Sequence, residues 1–343
     1  MRKFGFIIHP IGIRNIYNFF PPSRILPQFL LKKTMEFLPP FTINHVLGIR
    51  SASGLEIEGY FIACPLLSKQ ILGLDEGFVI DKILAAAKIA ERLKVDMLGL
   101  GALAGTVGQA GKLLAQRLDV PITNGTTYAG GACLETIFKA VEMRKINLRY
   151  AKIAIIGATN SIGKICAYTL SKQAAKISLA AKNQERLSEL ISKLKIEGPA
   201  EIENSCMDVN QAIKNSDIVI FTASAIEVSP EVEINQLKPG AIICDIPVPR
   251  NITLEIFRKR PDLLIIDGAA IEPPCEIKLT LDTGLTKGQI YACMAETIIL
   301  TLEGKFEDFS VGWEPSLEKV ELICALAKKH GFKPAFTSFG NKI

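Results

Sequence analysis

The stretch KIAIIGATNSIGKICAYTL, residues 152–170, decides the fold of this chain. An unbroken apolar run from Ile153 to Ile156 ends at Gly157, and Gly163 opens a helical pattern. This is strand, tight turn and helix, which aims backbone N–H groups and the positive end of a helix at a phosphate. Gly157 suits the tight turn and Gly163 a close helix contact. Asn160 stands where a second glycine is usual, and asparagine tolerates left-handed backbone better than other residues with a side chain. The candidate phosphate-facing residues are therefore Gly157, Ala158, Thr159, Asn160, Ser161, Ile162 and Gly163.

Outward from this turn, apolar strand signals recur at 176–182, 217–224, 241–247 and 263–269, with a weak strand near 202–206 and helical patterns at 162–173 and 183–195. The strands are continuous rather than alternating, as expected when helices cover both faces of a parallel sheet. The fold class is α/β: a Rossmann-type doubly wound parallel sheet, with a smaller α/β domain before it. The second strand ends Leu179-Ala-Ala-Lys182-Asn183. An enzyme selective for NAD places an acid there to accept from the ribose 2′-hydroxyl. Lys182, Asn183 and Arg186 instead offer positive charge and polar groups, which favours NADP, although a solvated lysine is the plain alternative. Ala223 and Ser224, closing the fourth strand, complete the cofactor set.

Before the turn, residues 3–8 read as a strand, 45–52 and 54–64 as a hairpin, 76–94 as a helix and 96–100 as a strand. LGLGALAGTVGQAG, 98–111, is a glycine-rich loop leading to a helix at 110–117. It serves either close packing or a backbone surface for substrate. Residues 119–125 are a short strand and 126–144 a helix. After a turn at Asp282-Thr283-Gly284, a helix is expected from Lys287 to Leu302, and a last one at 315–330. Domain bounds are 1–125, with 303–343 folding back on it, and 126–302, a nucleotide domain that includes the helix of Cys293.

The 343 residues are 48% apolar and 22% charged, with net charge +5, the composition of a globular protein. No basic stripe with interleaved aromatics suggests nucleic acid. Eight cysteines form no C-x-x-C pair and no metal-ligand spacing, which is reduced, cytoplasmic usage with no metal expected. The start reads as no signal peptide, and no 18-residue apolar stretch predicts a membrane span. Residues 16–42 interleave phenylalanine with proline, Arg24, Lys32 and Lys33. They form either short helices covering a core, a mouth for a lipid-like substrate or a peripheral membrane contact.

Cys293 lies in KGQIYACMAETIIL, 287–300, near the start of a helical pattern. A helix N-terminus stabilises thiolate, the nucleophilic form. Ile290, Cys293, Met294, Thr297 and Ile298 share a face, which equally describes a core thiol. Cys64, Cys133, Cys166 and Cys244 sit in apolar settings and read as structural.

The chain resembles the aldehyde-forming long-chain fatty acyl-[acyl-carrier-protein] reductases and relatives labelled predicted amino-acid dehydrogenases. The likeness covers nearly the whole chain. It rests on FGFIIHP, SGLEIEGYFIACPLL, LGLGALAGTVG, ITNGTTYAG (122–130), IIGATNSIG, LAAKNQERL (179–187), PVPRN (247–251), IIDGAAIEPP (265–274) and GQIYACMAETIIL (288–300). The last matches the family segment that carries the acylated cysteine. The resemblance implies that Cys293 attacks an acyl thioester of acyl carrier protein or coenzyme A, and that NADPH reduces the bound acyl group to an aldehyde. Asn124, Thr126 and the 99–105 loop are candidates to hold the thioester oxygen. The family's arginine after the second strand is Lys182 here. The alternative is a shikimate- or amino-acid-dehydrogenase-like oxidoreductase without a covalent intermediate. It needs a proton-transferring group, for which Lys287 is available, whereas His9, His45 and His330 lie outside the nucleotide domain.

Overall fold

A computed structural model describes residues 1–206, 208–225, 232–279, 283–339 and 341–343; the expected turn residue Asp282 lies outside these. The chain divides into two compact units. The first comprises Met1–Tyr128, Glu272–Gly312 and Leu322–Lys333, the second Ala129–Ile271, Trp313–Glu321 and Pro334–Ile343.

The first unit is built on strands β1 (Arg2–Ile8), β2 (Phe41–Arg50), β3 (Glu56–Ala63), β4 (Met97–Leu100) and β5 (Ile122–Thr123), ordered β2-β3-β1-β4-β5. All pairings are parallel except β2 with β3, the hairpin expected from the alternating pattern. Gly54 in its turn has φ +84°, a conformation that favours glycine. Successive residues of a strand face opposite sides of a sheet. Ile7, Leu98 and Leu100 pack in one cluster with Val79, Ile83 and Ala87 of the helix Glu76–Arg92. Asp75 caps that helix, accepting from the Phe78 N–H at 2.9 Å.

On the other face lies the helix Ala292–Glu303. Gly99 has no side chain because a Cβ there would come 2.2 Å from Thr297 Oγ1 and 2.3 Å from Phe6. Arg2 donates to the terminal carbonyls of Thr301 and Leu302. These contacts place the cysteine helix in the first unit, not with the nucleotide sheet as its position in the sequence suggested. The helix also starts at Ala292 rather than Lys287. The tail beyond 303 is shared between units rather than folding wholly onto the first.

The expected helix at 110–117 is two four-residue turns, Val107–Ala110 and Lys112–Ala115. Gly108, Gln109, Ala110 and Gly111 have φ of 61°, 58°, 56° and 85°, and left-handed backbone cannot propagate a right-handed helix.

The second unit carries β6 (Lys152–Ile156), β7 (Lys176–Ala180), β8 (Glu201–Cys206), β9 (Ile218–Phe221), β10 (Ile242–Asp245) and β11 (Leu264–Asp267). Their order is β11-β10-β9-β6-β7-β8 and every pairing is parallel. This is the doubly wound dinucleotide-binding arrangement, with its direction reversing between β6 and β9. The apolar strands are buried, as their continuous patterns required.

Candidate active site

Ligands of open α/β sheets bind at the carboxyl ends of strands, where strand order reverses. In the first unit that point lies between β1 and β4, since β3 follows β1 on one side and β4 on the other. His9 follows β1, the Gly101–Gly105 segment follows β4 and Asn124 follows β5.

Cys293 is the second residue of its helix, after the cap residue Tyr291. It is half-buried, whereas Cys64, Cys133, Cys166 and Cys244 are fully buried. Burial pushes the Cys293 thiol up to about 11, and the Glu296 carboxylate adds to this. The nearby backbone N–H groups of Ala102, Met294 and Cys293 itself pull the other way. Cys64 is pushed further, to about 12, by its burial. Cys133 is held protonated against the sulfurs of Cys166 at 3.8 Å and Cys244 at 3.6 Å.

The backbone of Gly125, at φ +75°, lies against Cys293: a Cβ on residue 125 would sit 2.2 Å from Cys293 Cα. The turn around Gly125 is fastened to the same helix through Glu296, which is fully buried. Thr123 Oγ1 donates to Glu296 Oε1, and the Tyr128 N–H donates to Oε2 at 2.6 Å. Ser310 Oγ lies 2.6 Å from both Glu296 Oε1 and Thr127 Oγ1. A buried carboxylate is tolerable only with such donors. Neither Glu296 nor Ser310 stood out in the sequence. The available signal was one acid inside the apolar run Ala292–Leu300, three residues from the cysteine.

Replacing Glu296 by glutamine should therefore have two opposite effects. Loss of the negative charge lowers the Cys293 pKa, so alkylation by iodoacetamide at pH 8 speeds up. The amide turns an N–H₂ toward a donor, which costs about 1–3 kcal/mol of stability. Alkylation rates and thermal melts read the two separately.

Asn124 is buried, and its amide donates to the carbonyls of Gly105 at 3.4 Å and Ala110 at 3.2 Å. Its Oδ1 accepts from the Thr126 N–H at 3.1 Å and from the Thr126 hydroxyl at 2.8 Å. Both side chains are thus engaged in shaping the loops around the Gly125 turn. Free N–H groups of a helix's first turn are further donors.

His9, set aside in the sequence reading, reaches this loop. Its Nε2 accepts from the Leu103 N–H at 3.2 Å, and Nδ1 lies 3.3 Å from the Pro10 carbonyl. Burial lowers its pKa from 6.5 to about 4, so it is a neutral acceptor. Below pH 6.5 the unfolded chain binds a proton that the folded chain refuses until about pH 4. Stability therefore falls as pH drops through this window, by up to about 3 kcal/mol. His9→Gln should flatten the pH dependence of the urea midpoint there.

In the second unit, Gly157 has φ +85°, and a Cβ on it would come 2.7 Å from Thr222 Oγ1. A Cβ on Gly163 would lie 2.5 Å from the Gly157 carbonyl oxygen. The N–H groups of Gly157 and Ala158 bond the Ala180 carbonyl. Asn160 corrects the sequence expectation: it is extended, at φ −80° and ψ 166°, not left-handed. It caps the helix Ser161–Leu170, accepting from Gly163 N–H at 2.8 Å, and donates to Thr222 O and Oγ1, each at 3.0 Å. It ties the turn to the end of β9, across the point where strand order reverses. Thr159 and Ile162 are half-buried and Ser161 is buried. Ala223 accepts from the amide of Asn251 at 2.9 Å, and the adjacent Ser224 is buried.

Lys182 and Asn183 are exposed after β7. Asn183 caps the next helix through the Arg186 N–H at 2.9 Å. The Arg186 guanidinium lies over the ring of Trp313, 5.2 Å from its centroid. Trp313 was not a sequence candidate, because it comes from the tail. This helix N-terminus carries two exposed cations, Lys182 and Arg186, against one acid, Glu185, in its first turn, and no acid closes β7 itself, which fits an anionic, phosphorylated group. Lys287 is exposed and paired with Glu276 at 3.6 Å. Among the described residues no group of three or more His, Cys, Asp or Glu side chains is placed to hold a metal ion.

Residues 139–264 match the Shikimate / quinate 5-dehydrogenase family, within the second unit. Aminotransferase PigE of Serratia sp. is 29% identical over 99% of this chain, which spans 41% of that protein's length. The long-chain acyl-[acyl-carrier-protein] reductase of Synechococcus elongatus is 25% identical over 86% of this chain and 88% of its own. A shikimate dehydrogenase solved in complex with NADP+ covers 96% of both chains at 15% identity and a TM-score of 0.43. The chain is an α/β protein with a Rossmann-type nucleotide-binding sheet, similar to the long-chain acyl-[acyl-carrier-protein] reductase along most of both chains and to the shikimate / quinate 5-dehydrogenases over residues 139–264.

Proposed function

We propose that this protein is an NADPH-dependent reductase that converts a long-chain acyl thioester of acyl carrier protein or coenzyme A into a fatty aldehyde. The observation that carries the reading is Cys293: half-buried, in the first turn of a helix, against the Gly125 backbone. The likeness to the Synechococcus elongatus reductase along most of both chains supports it.

The Cys293 sulfur attacks the acyl carbonyl carbon, forming an S–C bond. The acyl C–S bond to the carrier breaks, and the carrier leaves as a thiol with the proton Cys293 gave up. The N–H groups at the helix start hold the developing negative oxygen. The resting thiol is protonated at neutral pH, so a thioester must be seated before the proton leaves. Gly157 to Gly163 would hold the NADPH pyrophosphate, Lys182 and Arg186 its 2′-phosphate, and Ala223 and Ser224 would flank it. When bound, NADPH supplies the hydride that turns the acyl group into aldehyde and frees the Cys293 sulfur.

The test is intact-mass and peptide mapping after mixing the protein with a long-chain acyl thioester without NADPH. An acyl adduct on Cys293 that disappears with aldehyde release when NADPH is added supports the reading. Absence of any adduct across chain lengths and both carriers, with NADPH still bound, sinks it. Lys182→Ala should raise the KM for NADPH about tenfold to a hundredfold and leave that for NADH nearly unchanged, as loss of a charge-assisted contact predicts.

A further inference from the structure

The N-terminal segment between β1 and β2 carries an exposed apolar surface. Its helix Gln28–Phe37 buries Leu31 and Met35 on one face. The opposite side presents Phe29 at 74% and Phe37 at 75% exposure, and the preceding turn presents Ile25 at 85%. Phe19 and Phe20 add 50% and 58%. A helix apolar on both sides is normally covered on both.

The segment is pinned in this pose. Gln70 Nε2 donates to the Lys32 carbonyl at 3.0 Å, and Lys82 Nζ to the Leu38 carbonyl at 2.9 Å. The exposed rings are therefore held outward by polar bonds to the rest of the unit. The segment is basic: over residues 11–40, Arg14, Arg24, Lys32 and Lys33, all exposed, stand against the single acid Glu36. Lys33 lies over the Phe37 ring, 5.4 Å from its centroid, and bonds Glu36 at 2.6 Å.

We propose that this face docks on an anionic lipid bilayer, with the phenylalanines and Ile25 entering the acyl boundary and the bases meeting headgroups. Three points select this occupant. A second copy meeting the same patch about a two-fold axis would set these bases against each other. An acidic protein would use the charges, but side chains three-quarters exposed and projecting need a soft apolar medium rather than a matched pocket. Exposed bases interspersed with projecting apolar side chains in one segment is the pattern that binds bilayer interfaces. No described helix is long and apolar enough to cross the membrane, so the contact is one-sided.

The full chain would be floated with vesicles of phosphatidylcholine alone and of phosphatidylcholine with about one-third phosphatidylglycerol. The expected result is flotation with the anionic vesicles, weakened by salt. The partition should fall at least about tenfold in a Phe29→Ser, Phe37→Ser variant and also in Arg24→Glu, Lys32→Glu. These side chains are exposed, so an unchanged thermal melt verifies that the variants fold. A folded chain that stays off anionic vesicles overturns the proposal, as does flotation that both variants retain. Self-association, or binding of a purified acidic carrier protein, lost in the same variants without vesicle binding also overturns it and assigns the face to that partner.

Discussion

On the proposed mechanism, replacing Cys293 by serine should lower kcat/KM for aldehyde formation about a thousandfold or more, because the nucleophile proposed to carry the intermediate is lost outright. The hydroxyl is smaller than the thiol and lies near the same backbone N–H groups of Ala102 and Met294, so the fold should hold and the thermal midpoint should barely move. NADPH binding, followed by fluorescence, should be unchanged, since the candidate cofactor residues belong to the other unit. Cys64, Cys133, Cys166 and Cys244 provide the contrast: serine at any of these buried positions should cost stability and leave the per-molecule rate of surviving protein nearly intact. Aldehyde formation within tenfold of the parent in Cys293→Ser would place the intermediate elsewhere or remove it.

Gly125→Ala should be nearly as damaging, through geometry rather than chemistry. At φ +75° the added side chain costs about 1–2 kcal/mol of backbone strain. Its Cβ would also stand 2.2 Å from Cys293 Cα and 2.3 Å from Cys293 Cβ, so turn and helix must part. Overpacking of this kind costs a further 1–3 kcal/mol or so. A displacement of about 1 Å at a reacting group is worth roughly a hundredfold in rate. Acylation of Cys293, timed by mass spectrometry, should fall by about that factor. Gly54→Ala separates the two causes. Gly54 has φ +84° with nothing within 4 Å of a new Cβ, so it should show the strain cost alone and acylate normally. Equal acylation in both variants would mean that Gly125 does not position the cysteine.

The candidate site also explains why a half-buried thiol with a raised pKa is compatible with nucleophilic work. Free thiolate at rest would invite oxidation. Here desolvation and Glu296 keep the proton on, while the N–H groups of Ala102 and Met294 stand ready for negative charge. The carboxylate of Glu296 serves first as a fastener, joining Thr123, Tyr128 and Ser310 to the cysteine helix.

Much of this was legible in the residues alone. The strands from Ile153 to Asp267 were visible because continuous apolar runs between helical patterns encode buried parallel strands locally. Gly157, Gly163 and the missing acid at Lys182 marked the nucleotide turn through properties of single residues. The hairpin at Gly54 was equally local. The resemblance of 288–300 to an acylated-cysteine segment directed attention to Cys293.

The tertiary structure decided the rest, because those features depend on partners distant in sequence. Gly99 leaving room for Thr297, with Arg2 on the carbonyls of Thr301 and Leu302, assigns the cysteine helix to the first sheet. Only the approach of Gly105 and Ala110 shows that the Asn124 amide is already engaged. Thr222 turned Asn160 from an expected left-handed residue into an extended helix cap. His9 gained its place from the Leu103 N–H, ninety-four residues away. Element type follows from short-range periodicity in the chain, whereas a site's hydrogen bonds and close approaches exist only once non-local packing has brought their two sides together.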